Sequence, residues 1–339
     1  MLVVNAGSSS LKLALFDGLR EVAQARFDRI GAGGAADHLA ALGSGLAQMG
    51  VNSAGLKAAA HRVVHGGARF SKACRITPEV LAGIEACVPL APLHNPANLM
   101  GIRALATLAP GLAQYASFDT AFHATNPEVA VRYAVPDKVL ALGIRRYGFH
   151  GLSYAALVRK VNETAVTGLP KRLLALHLGN GASLCAVLNG QSVATTMGYS
   201  PLSGLTMGTR AGDIDGNAVL RLAEVCGIEG AAHLLNRESG LMALGGHSDM
   251  RALRGAGRDF AVQHFCYWAV RQAGSMIAAM GGLDAMAFTG GIGENDSVVR
   301  AEIAQGLAWA GAVPILVIAA EEERQIAIEA QQVRRQEAG

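Results

Sequence analysis

"LVVNAGSSSLKLALFD" at residues 2–17 and "LLALHLGNGASLCAVLNG" at residues 173–190 share one plan: an apolar strand, a turn of glycine and small polar residues, Ser-Leu, and a second apolar strand. In the first stretch Leu2, Val3 and Val4 read as a buried strand, and Leu11, Leu13 and Leu15 alternate as its partner. A hairpin can turn on glycine alone, so Asn5, Ser8, Ser9, Ser10 and Lys12 gathered around Gly7 point to a pocket for an anion. An offset of 173 lays Ser10-Leu11 on Ser183-Leu184 with the apolar alternation in phase. Two phosphate-sized hairpins in one chain predict a duplicated domain.

Around the two hairpins, strand-like and helical segments alternate, which predicts an α/β fold. Residues 29–50 read as a Gly/Ala-rich loop entering a weak helix, and residues 58–67 as a strand and turn. Helices follow at 77–86, with Thr77 as cap and Pro78 at the first position, and at 94–108, where Asn95 and Pro96 repeat that logic. "QYASFDTAFH" (114–123) is a strand delivering Asp119 at its C-terminal end, where open α/β sheets place their ligands. In the second half, helices are expected at 216–227 and 260–280, the latter apolar nearly all round and so expected to be buried between layers. Residues 283–307 read as strand, Gly-rich turn and helix, and the chain ends in a charged amphipathic helix expected to add nothing to the core.

Composition narrows the function. The 339 residues suffice for about two domains, and 51% apolar against 16% charged residues supports a large core. A formal charge of +3 with no dense Lys/Arg block argues against a nucleic-acid partner. Five scattered cysteines without a Cys-x-x-Cys pair argue against a disulfide or zinc framework and for a reducing cytoplasm. Neither an 18-residue apolar run nor a basic-then-apolar leader is present, so a soluble protein with no membrane partner is expected.

Gly-rich turns follow apolar strands at 5–10, 179–182 and 290–293, and backbone N–H groups in such turns can cradle phosphate oxygens. Gly-x-x-x-x-Gly-Lys-[Ser/Thr] is absent, which excludes a P-loop. "GIGEND" puts Asp296 where a dinucleotide fingerprint needs its third glycine. Arg62 in "HRVVHGG", His94 in "APLHNP", His150 in "RRYGFHG" and Arg210 in "GLTMGTRAGDIDG" are cationic side chains in apolar settings. A sheet-edge salt bridge explains such an arginine about as well as chemistry does, and a lone histidine is more often a satisfied core residue. The glycines around Arg210 tilt that site toward a ligand approached closely by backbone. The cysteines and Met276, Met280 and Met286 read as core packing.

Taken together, "NAGSSSLK" (5–12), "HRVVHGG" (61–67), "APLHNP" (91–96), "FDTAFH" (118–123), "RRYGFHG" (145–151), "HLGNGAS" (177–183), "MGTRAGDID" (207–215) and "FTGGIGEN" (288–295) resemble the acetate kinase (acetokinase) family. The motifs stand in the family's order across nearly the whole chain. The resemblance implies a duplicated two-domain actin-like ATPase (ribonuclease H-like) fold with an interdomain nucleotide cleft. Residues 1–120 would form the N-terminal domain and 121–322 the nucleotide-binding C-terminal domain, with the C-terminal helix 323–339 packing back on the first. It further implies Mg2+-dependent (or Mn2+-dependent) phosphoryl transfer from ATP to acetate, giving acetyl phosphate and ADP, by a homodimer.

Carried over by position, the resemblance makes Arg62, Asp119, His150 and Arg210 catalytic, and Asn5 and Glu322 supports of the metal. Lys12, the run His177, Leu178, Gly179, Asn180 and Gly181, then Asp249, Met250 and Arg251, and finally Gly291, Ile292, Gly293, Glu294 and Asn295 would bind nucleotide. Arg62 would also touch the carboxylate substrate, whose methyl group would lie among Val64, Leu93, Phe149 and Pro201. Acetate is ionised near neutrality, so the reaction needs positioning and charge rather than a general base, and Asp119 is expected to orient an arginine or the metal's waters. Departures from the family pattern fall outside the Arg/His/Asp set. The chain is shorter between 18 and 55 and at its C-terminus, Leu152, Tyr154, Ser203 and Gly216 stand at usually different residues, and Ala320-Glu321-Glu322-Glu323 replaces Thr-Asn-Glu-Glu. The alternatives are a kinase for propionate or another short-chain acid and, more remotely, a non-catalytic nucleotide switch of the actin and chaperone type.

Overall fold

The structure, a computed structural model, describes residues 1–165 and 168–338; the last residue of the expected C-terminal helix, Gly339, lies outside them. The chain divides into two compact units, one of Met1–Phe122, Gly151–Ala156 and Glu321–Gly339, the other of His123–His150 and Leu157–Ala320.

In the first unit, β1 (Leu2–Gly7) and β2 (Ser10–Asp17) form the expected hairpin, turning on Ser8-Ser9 between the pair Gly7 and Ser10. β3 (Arg20–Asp28) pairs antiparallel with β2, and β4 (Ala59–Val63), β5 (Cys74–Arg75) and β6 (Gln114–Phe118) complete a sheet of order β3-β2-β1-β4-β6-β5. β1, β4 and β6 run parallel. Alternation along β1 decides the layers, because period-two strands present opposite faces. Leu2, Val4 and Ala6 face helices His38–Gln48 and Asn95–Leu108, where Leu42, Leu46 and Leu105 are buried. Val3 faces Leu152 and the C-terminal helix Glu322–Ala338. That helix is more than a charged appendage: Ile326, Ala327 and Ala330 are fully buried, correcting the expectation that it adds nothing to the core.

In the second unit, β7 (Arg172–Leu178), β8 (Ala182–Leu188), β9 (Gln191–Thr195), β10 (Ala285–Thr289) and β11 (Ile315–Val317) are ordered β9-β8-β7-β10-β11. This is the order of β3-β2-β1-β4-β6, with the same antiparallel and parallel pairings. A register irregularity recurs in the outer pair of both sheets. The duplication is therefore present in the backbone. The second turn, Gly179–Gly181, has one residue more than Ser8-Ser9, so a single offset of 173 cannot hold for both strands of the hairpin.

Helix Asp259–Met280 packs on β8 and β9 through Phe265, Cys266, Ala269 and Ala273, while Phe260 and Tyr267 remain 64% exposed. Besides the sheet it packs on helices Gly240–Gly245, Met250–Gly255 and Ser297–Gly306, but the side carrying Phe260 and Tyr267 stays open, so it is not buried all round. Three local readings also change. Thr77 caps its helix by accepting from Val80 N–H, as expected, but Asn95 lies inside its own helix and its amide bonds the His65 backbone in both directions. The Gly-rich turn after β10 is itself helical, Gly290–Asn295. Cys87, Cys185 and Cys266 are buried, but Cys226 is exposed and packs in no core.

Candidate active site

Parallel pairing of β1, β4 and β6 brings their C-terminal ends together in the first unit. Asn5 lies on β1, Arg62 on β4, and Asp119 follows β6 directly, its N–H donating to Val63 C=O. Arg62 Nη2 donates to Asp119 Oδ2 at 2.7 Å, and Nε reaches both carboxylate oxygens at 3.1 Å. Nη1, the remaining guanidinium nitrogen, lies 3.5 Å from Asn5 Oδ1 and 3.8 Å from Glu322 Oε2. Asp119 is 2% exposed. Burial lifts its carboxyl above the ordinary range while Arg62 pulls it back, and the charge of Arg62, opposed by burial, is upheld by Asp119 and Glu322. A planar guanidinium fixed on two sides by one carboxylate holds its orientation before any ligand arrives.

The three glutamates opening the C-terminal helix have separate partners. Glu321 pairs with Arg324 at 3.4 Å, Glu322 with Arg62, and Glu323 with Lys12 Nζ at 2.9 Å. Of the three, Glu322 is the one that forms an ion pair with Arg62, which also meets Asn5. An amide oxygen and a carboxylate are the hard donors a small divalent cation takes, and two protein donors suit an ion that keeps several waters. Among the described residues no group of three or more His, Cys, Asp or Glu gathers as a metal site.

In the second unit the β7–β8 turn carries the corresponding set. His177, near the end of β7, stacks on His150 with ring centroids 4.1 Å apart. His150 Nδ1 is 2.8 Å from Ser183 Oγ on β8, which fixes the ring and turns Nε2 toward the turn. A Cβ on Gly181 would lie 2.8 Å from Arg210 Nη2 and 3.1 Å from His150 Nε2. Only glycine leaves these two nitrogens room at the turn, and an anion there would meet both. Arg210 is anchored by Nη1 donating to Pro201 C=O at 2.6 Å. His150 itself is left-handed (φ 58°, ψ 20°), a strained conformation for a residue with a Cβ.

Beside this turn lies a cavity of about 710 Å³, walled by Gly179 and Asn180, by Asp249, Met250 and Arg251, and by Gly291, Ile292 and Asn295. Three segments far apart in sequence and expected to act together are thus one surface. Asp249 caps helix Met250–Gly255, accepting from the N–H groups of Arg251 and Ala252. Ser248, Arg254, Asp296, Ser297 and Val298 complete the wall and were not expected there. Asp296, read from the sequence only as breaking a dinucleotide fingerprint, caps helix Ser297–Gly306 and also binds Arg254. Ser183 was quoted within its motif but given no part.

Other expected residues stand apart from the cavity wall. Glu294 spends its carboxylate on the N–H groups of Gly290 and Ala320. Leu178 is buried in β7, and Gly293 is buried in its helix. Lys12 belongs to the first unit, paired with Glu323. Of the expected methyl-pocket residues, Val64 is nearly buried and Leu93 is 44% exposed in the first unit; in the second, Phe149 is buried and Pro201 holds Arg210.

A family model described as the acetokinase family matches residues 33–324. An acetate kinase of Deinococcus radiodurans is 45% identical over 345 aligned positions, covering 91% of this chain and 86% of that protein. One of Pseudomonas aeruginosa is 43% identical over 384 positions, 97% of each chain. Among solved structures, the acetate kinase of Porphyromonas gingivalis matches with TM-score 0.88 at 34% identity, covering 98% of this chain and 99% of that one. A propionate kinase from Francisella tularensis matches with TM-score 0.92 at 34% identity over the same shares.

Proposed function

Because this chain belongs to the acetokinase family, we propose that it transfers the γ-phosphoryl group of ATP to acetate, reversibly, giving acetyl phosphate and ADP with Mg2+ as the metal. The observation that carries the reading is the approach of His150 Nε2 and Arg210 Nη2 to Gly181, one residue from the wall of a nucleotide-sized cavity.

In this reading the cavity takes the nucleotide, with Asn180 and the helix start at Gly291 offering backbone N–H groups to phosphate, while the Gly179 N–H closes the turn on Gly181 C=O. Arg210 and His150 donate to the equatorial oxygens of the transferring group, where negative charge must be held as the bond to ADP loosens. Arg62, oriented by Asp119, brings the second anion, the carboxylate, into line through Nη1, the nitrogen that Asp119 does not hold. Acetate ionises around pH 4 to 5 and attacks as it stands, so Asp119 is not needed as a base. Asn5 and Glu322 would hold Mg2+ through its waters, and the ion supplies charge neutralisation on the phosphates.

We assign the recognition of the methyl group to Val64, Leu93, Phe149 and Pro201, whose side chains cannot hydrogen-bond and so select by volume. The resemblance to a propionate kinase at TM-score 0.92 keeps a three-carbon acid as the second reading. A homodimer is the proposed assembly, supported by the exposed Leu220, Val225, Ile228, Phe260 and Tyr267 of the second unit and checked by light scattering. A cytoplasmic setting is proposed from five free cysteines, and no helix of the described residues is long and apolar enough to cross a membrane. The direct test of the activity is hydroxylamine trapping of acyl phosphate from ATP and a series of carboxylates.

A further inference from the structure

We propose that His123 is a positioning residue for His150, holding the left-handed backbone that aims the His150 ring at Gly181 by hydrogen-bonding the Phe149 carbonyl. The proposal rests on the reading of His150 as a site residue.

His123 is buried five residues beyond the end of β6, and its Nε2 lies 2.9 Å from Phe149 O. A carbonyl only accepts, so Nε2 carries a proton. Burial drives the imidazole pKa down to about 4, against the opposing effect of the Phe149 bond, so at neutral pH the ring has that one proton only. Nδ1 is therefore an acceptor, and its neighbour Ser192 Oγ at 2.8 Å donates to it. Asn126 lies on the other side of that hydroxyl, 2.7 Å from Oγ. The atom placed there is Oδ1, but the hydroxyl has one proton and gives it to His123, so we assign the Asn126 amide turned over, its nitrogen donating to Ser192 instead of lying buried without a partner. Asn126, Ser192, His123 and the Phe149 carbonyl thus form a directed chain of donors ending on the peptide that joins Phe149 to His150.

That peptide sets φ of His150. The preceding Gly148 is also left-handed (φ 77°), and a Cβ there would stand 2.6 Å from His123 Cδ2, so the imidazole packs directly on this backbone. Without the bond, the peptide is free to rotate toward the ordinary basins that a residue with a Cβ prefers. Such a rotation swings the His150 ring off Ser183 and away from Arg210. A misplacement of about 1 Å at a reacting group can cost on the order of 10²-fold in rate.

The test compares His123→Asn, too short to reach the Phe149 carbonyl, with His123→Gln, whose amide nitrogen can replace Nε2. Each folded variant is read by kcat, by KM for acetate and ATP, and by the side-chain 15N resonances of His150, assigned by their loss in His150→Gln. The expected result is kcat lowered at least about 10-fold in His123→Asn with both KM values within about twofold, and shifted His150 resonances. His123→Gln is expected to restore kcat to within about threefold and to return the resonances. Parental kcat and resonances in His123→Asn, or equal damage in His123→Gln, would overturn the proposal. If His123→Asn does not fold, Ser192→Ala carries the test: His150 resonances displaced and kcat lowered at unchanged KM support it, and parental values overturn it. If the parent forms no acyl phosphate at all, the functional reading fails, while the resonance comparison still decides the positioning claim.

Discussion

Arg62 spends two of its guanidinium nitrogens on a carboxylate that is itself almost completely buried, and presents the third toward Asn5 and Glu322. Charge alone does not explain this arrangement, because an ammonium would carry the charge without the fork. Arg62→Ala and Arg210→Ala are therefore expected to lower kcat at least about 10²-fold in folded protein, with lysine rescuing poorly at either position. Near-parental turnover in Arg210→Ala would contradict the charge-clamp mechanism. Specificity is also decided by single residues. Removing two methyl groups in Val64→Ala should lower KM for propionate more than for acetate, within the 10–200-fold that about one methylene can discriminate. An unchanged acetate-to-propionate ratio of kcat/KM would remove Val64 from the pocket. At this scale the sequence singled out Arg62 and Asp119, which the structure pairs, but the residues alone left a salt bridge as good an explanation as chemistry and the roles rest on the family resemblance. It was misleading where a local rule had a tertiary competitor: Asn95 looks like a cap, but the buried His65 backbone claims its amide.

The hairpins were legible because two apolar strands flank small residues, whereas the strand after each was overlooked. β3 and β9 are short on large apolar residues, and the signals that could have found them are the turns, Gly18 after Asp17 and Asn189-Gly190, all three residues Gly18, Asn189 and Gly190 having positive φ. The C-terminal helix misled in the opposite direction, since its charged residues conceal the stripe Ile326, Ala327 and Ala330. Ile326→Ala should destabilise the protein by about 2–5 kcal/mol, the usual cost of emptying a buried aliphatic site; a denaturation midpoint unchanged from the parent would mean the helix is not part of the core. Between β4 and β6, His61 bonds Gln114 Oε1 at 2.7 Å, and burial drives its pKa down to about 4. Its folded pKa lies below the unfolded value of about 6.5, so the unfolded chain binds more protons between those limits. Its contribution is present above about pH 6.5 and is lost as pH falls toward 4, on the order of 3 kcal/mol in all. Urea midpoints measured across that window should fall with acidification, and less steeply in His61→Gln. Equal slopes in parent and variant would contradict the assignment.

For the whole molecule, the recurrence of one strand order in both units is what a gene duplication leaves when side chains have diverged. It was visible in the sequence only at the hairpins, because there both copies keep small residues near a phosphate-sized turn, while covering helices are free to change. The relative from Pseudomonas aeruginosa aligns over 384 positions, more than the 339 residues of this chain, so the shorter protein dispenses with segments that the relative carries. If both hairpins serve one nucleotide, ATP should slow hydrogen exchange in residues 5–12 and 177–183 alike, and protection of only one would separate them functionally. The central claim, phosphoryl transfer to acetate, is tested most directly by incubating the protein with ATP, Mg2+ and hydroxylamine together with acetate, propionate or butyrate. The account predicts acyl hydroxamate that depends on ATP and acid, with kcat/KM for acetate above that for propionate; no hydroxamate from any acid, or a preference for propionate, would contradict it.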